Sequence, residues 1–353
     1  MSEKDTFTGA EFTGTKEVSE NLKFDQNRLQ QWMDANIQSS GKILQIEQFN
    51  GGQSNPTYKI TTDNKKLVLR RKPPGKLLPS AHAVDREYKV ISALAETNVP
   101  VPKTYSLCDD SDVVGTPFFV MDFLEGEVYW DHMLPSASNE ERIKIYQQKN
   151  KVLANLHSVD YKAVGLESYG KPGNYVARQV SRWTTQYLAS ETESIPEMDK
   201  LIEWLPQNIP NDDETSIVHG DFRLDNMIYK NHEVIGVLDW ELSTLGHPIA
   251  DFSYHCLTWR TLPAMQDLKL LKELGIPSEV EYRDMYSENT GKDLSANWEF
   301  YMVFNIFKVA AICQGILGRV RDGTASNKHA EARGMQVFPL SAGAWSIVEA
   351  NFK

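Results

Sequence analysis

A chain of 353 residues can bury a sizeable core without disulfide or metal staples, and its length suggests two domains or lobes. Its 37 Lys and Arg against 48 Asp and Glu leave a formal charge of −11, which argues against a general nucleic-acid binder with a basic face. Three scattered cysteines (Cys108, Cys256 and Cys313) form no CxxC pair and fit a reducing, cytoplasmic setting, while the polar N-terminus lacks the apolar core of a secretory signal.

In chain order, residues 1–23 are polar and turn-rich and are expected to be a mobile tail. In "DQNRLQQWMDANI" the apolar positions Leu29, Trp32, Met33 and Ile37 have helical spacing, with Asp25 as the cap. The signal then turns to strands: "KILQIEQF" and "TYKITT" flank the loop "NGGQSNP", and "KKLVLRRK" follows the turn "DN". A helix started by Ser80 carries Val84, Tyr88, Ile91 and Leu94 on one face, and "VPVPKTYSLC" and "TPFFVMDFL" supply two further strands. Beyond Gly126 the 3.6-residue period dominates. The run "MVFNIFKVAAICQGIL" is interrupted by Asn305, Lys308 and Gln314 and reads as a buried helix rather than a membrane span. The expected architecture is α+β, with a small antiparallel-sheet lobe at 24–124 and a large helical lobe at 125–353. A ligand site is expected in the cleft between them.

The densest chemistry lies in "SIVHGDFRLDNMIYKNHEVIGVLDWE". Asn226 follows Asp221 by five residues and Asp239 follows it by eighteen. "MIY" and "VIGVLD" around "KNHE" form a strand–turn–strand pattern that brings Asn226, before the first strand, beside Asp239, at the end of the second. Both can offer oxygen to one ion, and Mg²⁺ takes few protein oxygens plus phosphate. Asp221 can accept a proton from a hydroxyl, and Arg223 can reach a transferring phosphoryl group. Such a reaction asks mainly for positioning and charge neutralisation. The bland alternative is that Asp221 and Asp225 cap turns while Asp239 ends a strand.

Two further pieces sit upstream. Gly51, Gly52, Gln53, Ser54 and Asn55 join two strands with a composition that lets backbone N–H groups approach an anion, although Gly-Gly also makes ordinary hairpins. Arg70 ends a strand and Glu87 lies on the following helix, so a tethered cation can hold the α- and β-phosphates of ATP, the rival being a surface ion pair.

Taken together, these segments resemble the aminoglycoside phosphotransferase family, the small-molecule branch of the protein-kinase-like fold. "HGDFRLDN" is similar to its catalytic loop, "LDWE" to its metal-binding segment and "FFVMDFLEG" to its interlobe hinge. "FNGGQSNPTYKI", "LVLRRKPPG" and "LDWELSTLGHPIADFSY" are closer still to the kinase-like domain that some longer proteins carry ahead of an acyl-CoA dehydrogenase domain, and no dehydrogenase segment is expected within these 353 residues. The resemblance implies that Asp221 is the catalytic base and that Asn226 and Asp239 hold Mg²⁺. It also implies that backbone near Asp122 and Leu124 binds adenine beside Met121. Arg70 stands where kinases usually have lysine. His219 is expected to brace the loop backbone, Asp251 to hold the catalytic loop from the next helix and His157 to pack at a helix end, while Glu241, two after Asp239, is a candidate to assist the metal, with a bland surface role as the alternative.

For the acceptor, Tyr175, Arg178, Arg182 and Trp183 fall at i, i+3, i+7 and i+8 on or near one helical face. Two arginines and two aromatics suit an anionic or amphipathic molecule better than a polycationic aminoglycoside; a solvated arginine face over aromatic packing is the alternative. The expected activity is ATP- and Mg²⁺-dependent phosphoryl transfer to a hydroxyl of a small metabolite, such as a hydroxy acid or hydroxyacyl-CoA, with neither nucleic acid nor membrane as partner. A nucleotide-binding pseudokinase acting as a switch or scaffold is the competing class.

Overall fold

The computed structural model describes residues 13–51, 55–75, 82–325 and 329–352. Strand periodicity builds the first lobe. Strands β1 (Thr15–Lys16), β2 (Ile43–Phe49), β3 (Thr57–Thr62), β4 (Lys66–Arg71), β5 (Thr104–Cys108) and β6 (Phe118–Asp122) form one antiparallel sheet in the order β1-β2-β3-β4-β6-β5. Alternation sends successive side chains to opposite faces. Leu67, Leu69, Phe118 and Val120 pack with Leu29, Met33 and Ile37 of helix α1 (Gln26–Asn36). Val68, Phe119 and Met121 face the other way, toward Val90, Ile91 and Leu94 of helix α2 (Val84–Leu94). Arg70 shares that second face, which places it on the side of Glu87. Asp25 caps α1 as expected, accepting the N–H groups of Asn27 and Arg28.

Two expectations are amended here. Part of the expected tail is tied down: Thr15 and Lys16 pair with Phe49 and Gln48, and the Leu22 carbonyl accepts from Arg71 Nη2 at 2.7 Å. A two-residue strand has no periodicity to read; its partners across the sheet create it. The Ser80 helix start lies outside the described residues, and α2 begins at Val84.

The longer helices of the second lobe are α3 (Asn139–Ser158), α4 (Tyr175–Ser190), α5 (Pro196–Gln207), α6 (Pro248–Cys256), α7 (Glu279–Thr290), α8 (Trp298–Arg321) and α9 (Val337–Asn351). Helix α8 is long and apolar enough to cross a bilayer, but most of it is buried in the protein. It packs against α4, α6 and α9 as the axis of the lobe. Two small sheets, β7 (Ser216–Val218) with β10 (Thr244–Gly246) and β8 (Met227–Lys230) with β9 (Glu233–Val237), carry the segments between α5 and α6.

Candidate active site

Strand pairing closes the hairpin from both sides. Met227 pairs with Val237, and the Leu238 N–H donates to the Asn226 carbonyl at 2.8 Å, so Asn226 and Asp239 flank its open end. Asn231 and His232 both take positive φ (53° and 66°), the left-handed pair that a tight two-residue hairpin turn requires. Strands β7 and β10 pair Val218 with Thr244, anchoring the loop that precedes the hairpin to the segment that follows it.

Asp221 lies half-buried in that loop. Asn226 Nδ2 donates to its backbone carbonyl at 2.8 Å and reaches its Oδ2 at 3.3 Å. Arg223 sits beside two carboxylates, with Nε 3.3 Å from Asp221 Oδ1 and Nη2 2.9 Å from Asp225 Oδ2. His219 is fully buried, and its Nε2 lies 2.9 Å from the Leu238 carbonyl. A carbonyl only accepts, so Nε2 carries the proton and Nδ1 is left to accept the Asp221 N–H at 3.3 Å. Both ring nitrogens are therefore occupied by backbone groups of the loop and the hairpin.

Asp251 holds the loop from α6. Its carboxylate accepts the N–H groups of His219 and Gly220, each at 2.9 Å, and His157 Nε2 at 3.2 Å. Burial alone pushes Asp251 up, but the hydrogen bonds from His157 and the loop outweigh it and hold the carboxyl below its ordinary value. His157 does more than pack at a helix end, since its Nδ1 also meets Tyr286 Oη at 2.6 Å. "ANLHSVD" carries no local signal for this, because the partners lie 94 and 129 positions away. Gly220 has φ +83°, and a Cβ there would stand 2.8 Å from the Leu242 carbonyl oxygen, so the turn before Asp221 needs glycine.

Arg70 joins the two lobes. Its Nε pairs with Glu87 at 2.9 Å, its Nη2 with Asp239 at 2.8 Å, and its Nη1 reaches Thr57 Oγ1 at 3.4 Å. Burial opposes the charge, but Glu87 and Asp239 outweigh it and hold the guanidinium above its ordinary value. A planar fork can bridge two acids on different elements. Asp239 itself adopts left-handed backbone (φ 63°, ψ 60°), uncommon for a residue other than glycine and typical of strained functional positions.

The remaining nucleotide-side residues divide. Asn55 is fully buried and donates from Nδ2 to Glu87 Oε1 at 2.8 Å, so its side chain supports the ion pair rather than covering a phosphate. Gly51 follows β2, while Gly52, Gln53 and Ser54 lie outside the described residues. Met121 is buried, and Asp122 Oδ1 accepts the Tyr105 hydroxyl at 2.6 Å. Leu124 packs on the hairpin: a Cβ on Gly236 would lie 2.3 Å from its Cδ1, so the hinge rests directly on β9.

The expected acceptor residues each make separate contacts within the protein. Arg178 donates to the carbonyls of Gly173 and Lys171, which ties down the turn before α4. Trp183 Nε1 donates to Gln179 at 3.1 Å, and Tyr175 packs on Gly246. Arg182 is exposed, its guanidinium 5.6 Å from the Trp183 ring.

The oxygen donors fit a magnesium ion. Asn226 uses its Nδ2 internally and keeps its side-chain Oδ1, and Asp239 gives Oδ1 to Arg70 and keeps Oδ2. No cluster of three or more His, Cys, Asp or Glu forms a complete cage among the described residues.

The phosphotransferase enzyme family model matches residues 45–285. Mouse acyl-CoA dehydrogenase family member 10 is 44% identical over 94% of this chain, but the chain spans only 32% of that protein. A homoserine kinase from Zymomonas mobilis is 23% identical over 57% of this chain and 60% of its own. A solved structure from Ralstonia eutropha, provisionally named an aminoglycoside phosphotransferase, is 47% identical with a TM-score of 0.86, covering 93% of this chain and 99% of its own. Spectinomycin phosphotransferase in complex with ADP and spectinomycin shares the fold alone, at 12% identity and a TM-score of 0.60 over 91% of this chain and 98% of its own. With its two-lobed kinase-like fold and a family match over most of its length, this chain belongs to the phosphotransferase enzyme family.

Proposed function

We propose that this chain transfers the γ-phosphate of Mg·ATP to a hydroxyl of a small metabolite bearing an acyl group, such as a hydroxy acid or a hydroxyacyl-CoA. The observation that carries the reading is the convergence of Asp221, Asn226 and Asp239 at the end of one hairpin, with Arg70 drawn onto Asp239 from the other lobe. Asp221 orients the acceptor hydroxyl and takes its proton as the oxygen–phosphorus bond forms, while the bond to the β-phosphate oxygen breaks and ADP leaves. Asn226 Nδ2 holds the Asp221 carboxylate in place, and Arg223, exposed beside it, supplies positive charge near the transferring group. Asn226 and Asp239 would hold magnesium, which when bound neutralises phosphate charge. Homology to a homoserine kinase is in keeping with a small hydroxyl acceptor.

One observation favours a second reading. Arg70 already occupies one oxygen of Asp239, an arrangement that also suits a catalytically weak, nucleotide-binding switch or scaffold. Transfer of labelled γ-phosphate from Mg·ATP across hydroxy acids, hydroxyacyl-CoAs, amino alcohols and aminoglycosides separates the two, with Asp221→Ala as the blank. Transfer to one class that vanishes in Asp221→Ala supports the enzyme. Mg·ATP binding without transfer to any class supports the switch, and no nucleotide binding refutes both.

A further inference from the structure

Three polar residues interrupt the long apolar helix α8: Asn305, Lys308 and Gln314. The fold accounts for two of them. Asn305 Nδ2 donates to the Ala250 carbonyl at 2.9 Å and Ser253 Oγ at 2.8 Å, both on α6. Gln314 Nε2 donates to the Ser190 carbonyl at 2.7 Å and Thr192 Oγ1 at 3.1 Å. Lys308 differs. Its ammonium lies over the ring of Tyr254, 4.1 Å from the centroid, and it makes no ion pair among the described residues.

Helical spacing sets where it stands. Tyr301, Asn305 and Lys308 fall at i, i+4 and i+7 and share a stripe. Tyr301 Oη meets His247 at 3.2 Å, Asn305 meets Ala250 and Ser253, and Lys308 meets Tyr254. The stripe thus runs along α6, and its last member lies half-buried over Tyr254, three residues along α6 from Asp251, whose carboxylate holds the catalytic loop. Helix α4, which carries Arg182, packs against α8. Burial lowers the pKa of Lys308, the charges of Asp251 and Asp221 oppose that, and Arg182 adds to it. Asp221 and Arg223 likewise act on the Tyr254 hydroxyl. A half-buried cation that its own protein leaves without a carboxylate partner is unfavourable until an anion completes it. A ring face beneath the ammonium holds it without neutralising it.

We propose that Lys308, seated on Tyr254 with Arg182 nearby, binds the carboxylate of the phosphate acceptor, so that the site selects free hydroxy acids whose hydroxyl lies a few bonds from the carboxylate. This deepens the phosphotransferase reading above and rests on it for the role of the hydroxyl. It also reassigns the acceptor's positive charge: Arg178 is committed to backbone carbonyls, and Lys308 takes its place.

The test separates recognition from turnover. Butyrate and hexanoate are titrated against butyramide and hexanamide by calorimetry, using wild type, Lys308→Met and Lys308→Arg. A charge-assisted contact of this kind predicts a carboxylate preference of about tenfold or more in wild type, largely kept in Lys308→Arg and abolished in Lys308→Met. In transfer assays, Lys308→Met raises KM for a hydroxy acid by about tenfold and leaves KM for Mg·ATP and the turnover of the matching hydroxyacyl thioester unchanged. A wild type without carboxylate preference overturns the proposal. So does a Lys308→Met protein that keeps the preference, or an equal loss with the neutral thioester. Carboxylate binding that depends on Lys308, in a protein that transfers no phosphate, supports the anchor and removes the phosphotransferase reading alone.

Discussion

Replacing Arg70 with methionine tests whether the buried Arg70–Glu87 ion pair is a structural commitment or an exposed decoration. The Glu87 side chain is 1% exposed and that of Arg70 10%. Removing the guanidinium leaves a buried carboxylate whose remaining donor is the Asn55 amide. Breaking a buried pair in this way costs about 3–5 kcal/mol, most of it the stranded charge. The arm to Asp239 adds little, because that side chain is 36% exposed and solvent screens it to the scale of a surface pair, about 0–1 kcal/mol. At about 2 °C of Tm per kcal/mol in a chain of this size, Arg70→Met should melt about 6–10 °C below wild type. Adding Glu87→Gln removes the stranded charge while keeping an acceptor for Asn55, and should restore the double variant to within about 1–2 kcal/mol of wild type. Thermal and urea unfolding of the three proteins measure both steps. A single variant within about 1 kcal/mol of wild type, or a double variant no more stable than the single, would refute the reasoning.

Other outcomes follow from the same physics. Asp251 is held below its ordinary value of 3.8, so its contribution is present above that pH and is lost as pH falls through the folded value; the stability gap between wild type and Asp251→Asn should be wide at pH 7 and should close under acid titration. Lys149 is buried against the rings of Tyr146, Trp259 and Tyr282, and burial pushes it down to about 7. The unfolded chain therefore binds more protons between about pH 7 and 10.5, so wild-type stability should rise across that window in urea unfolding, and Lys149→Met should flatten the rise. Gly220→Ala places a Cβ 2.8 Å from the Leu242 carbonyl at φ +83°; about 1–3 kcal/mol of destabilisation and a fall in kcat larger than any change in KM for Mg·ATP are expected from unfolding and steady-state kinetics.

The tightest local patterns were legible in the sequence because short-range geometry makes them. Asp25 caps its helix, "MIY" and "VIGVLD" form a hairpin, and that hairpin alone brings Asn226 and Asp239 to one end, whatever the rest of the chain does. The alternating strands and the long periodic helices gave the two-lobed α+β architecture for the same reason: side-chain period is a property of a few consecutive residues. The loop bracing by His219 and Asp251 could be anticipated from motif context, but its third member, His157, could not. What only the tertiary structure decided are contacts between residues far apart in the chain. Arg70 and Asp239 are 169 positions apart, and no periodicity links them. Arg178 looked like an acceptor ligand by helical spacing, yet spacing fixes which face a residue is on and not what that face meets, and here it meets the carbonyls of the preceding turn. Lys308 looked like an interruption in a buried helix until α6 brought Tyr254 beneath it. Burial and charge act through space, so which polar residues are satisfied and which await a ligand is settled only when the lobes have packed.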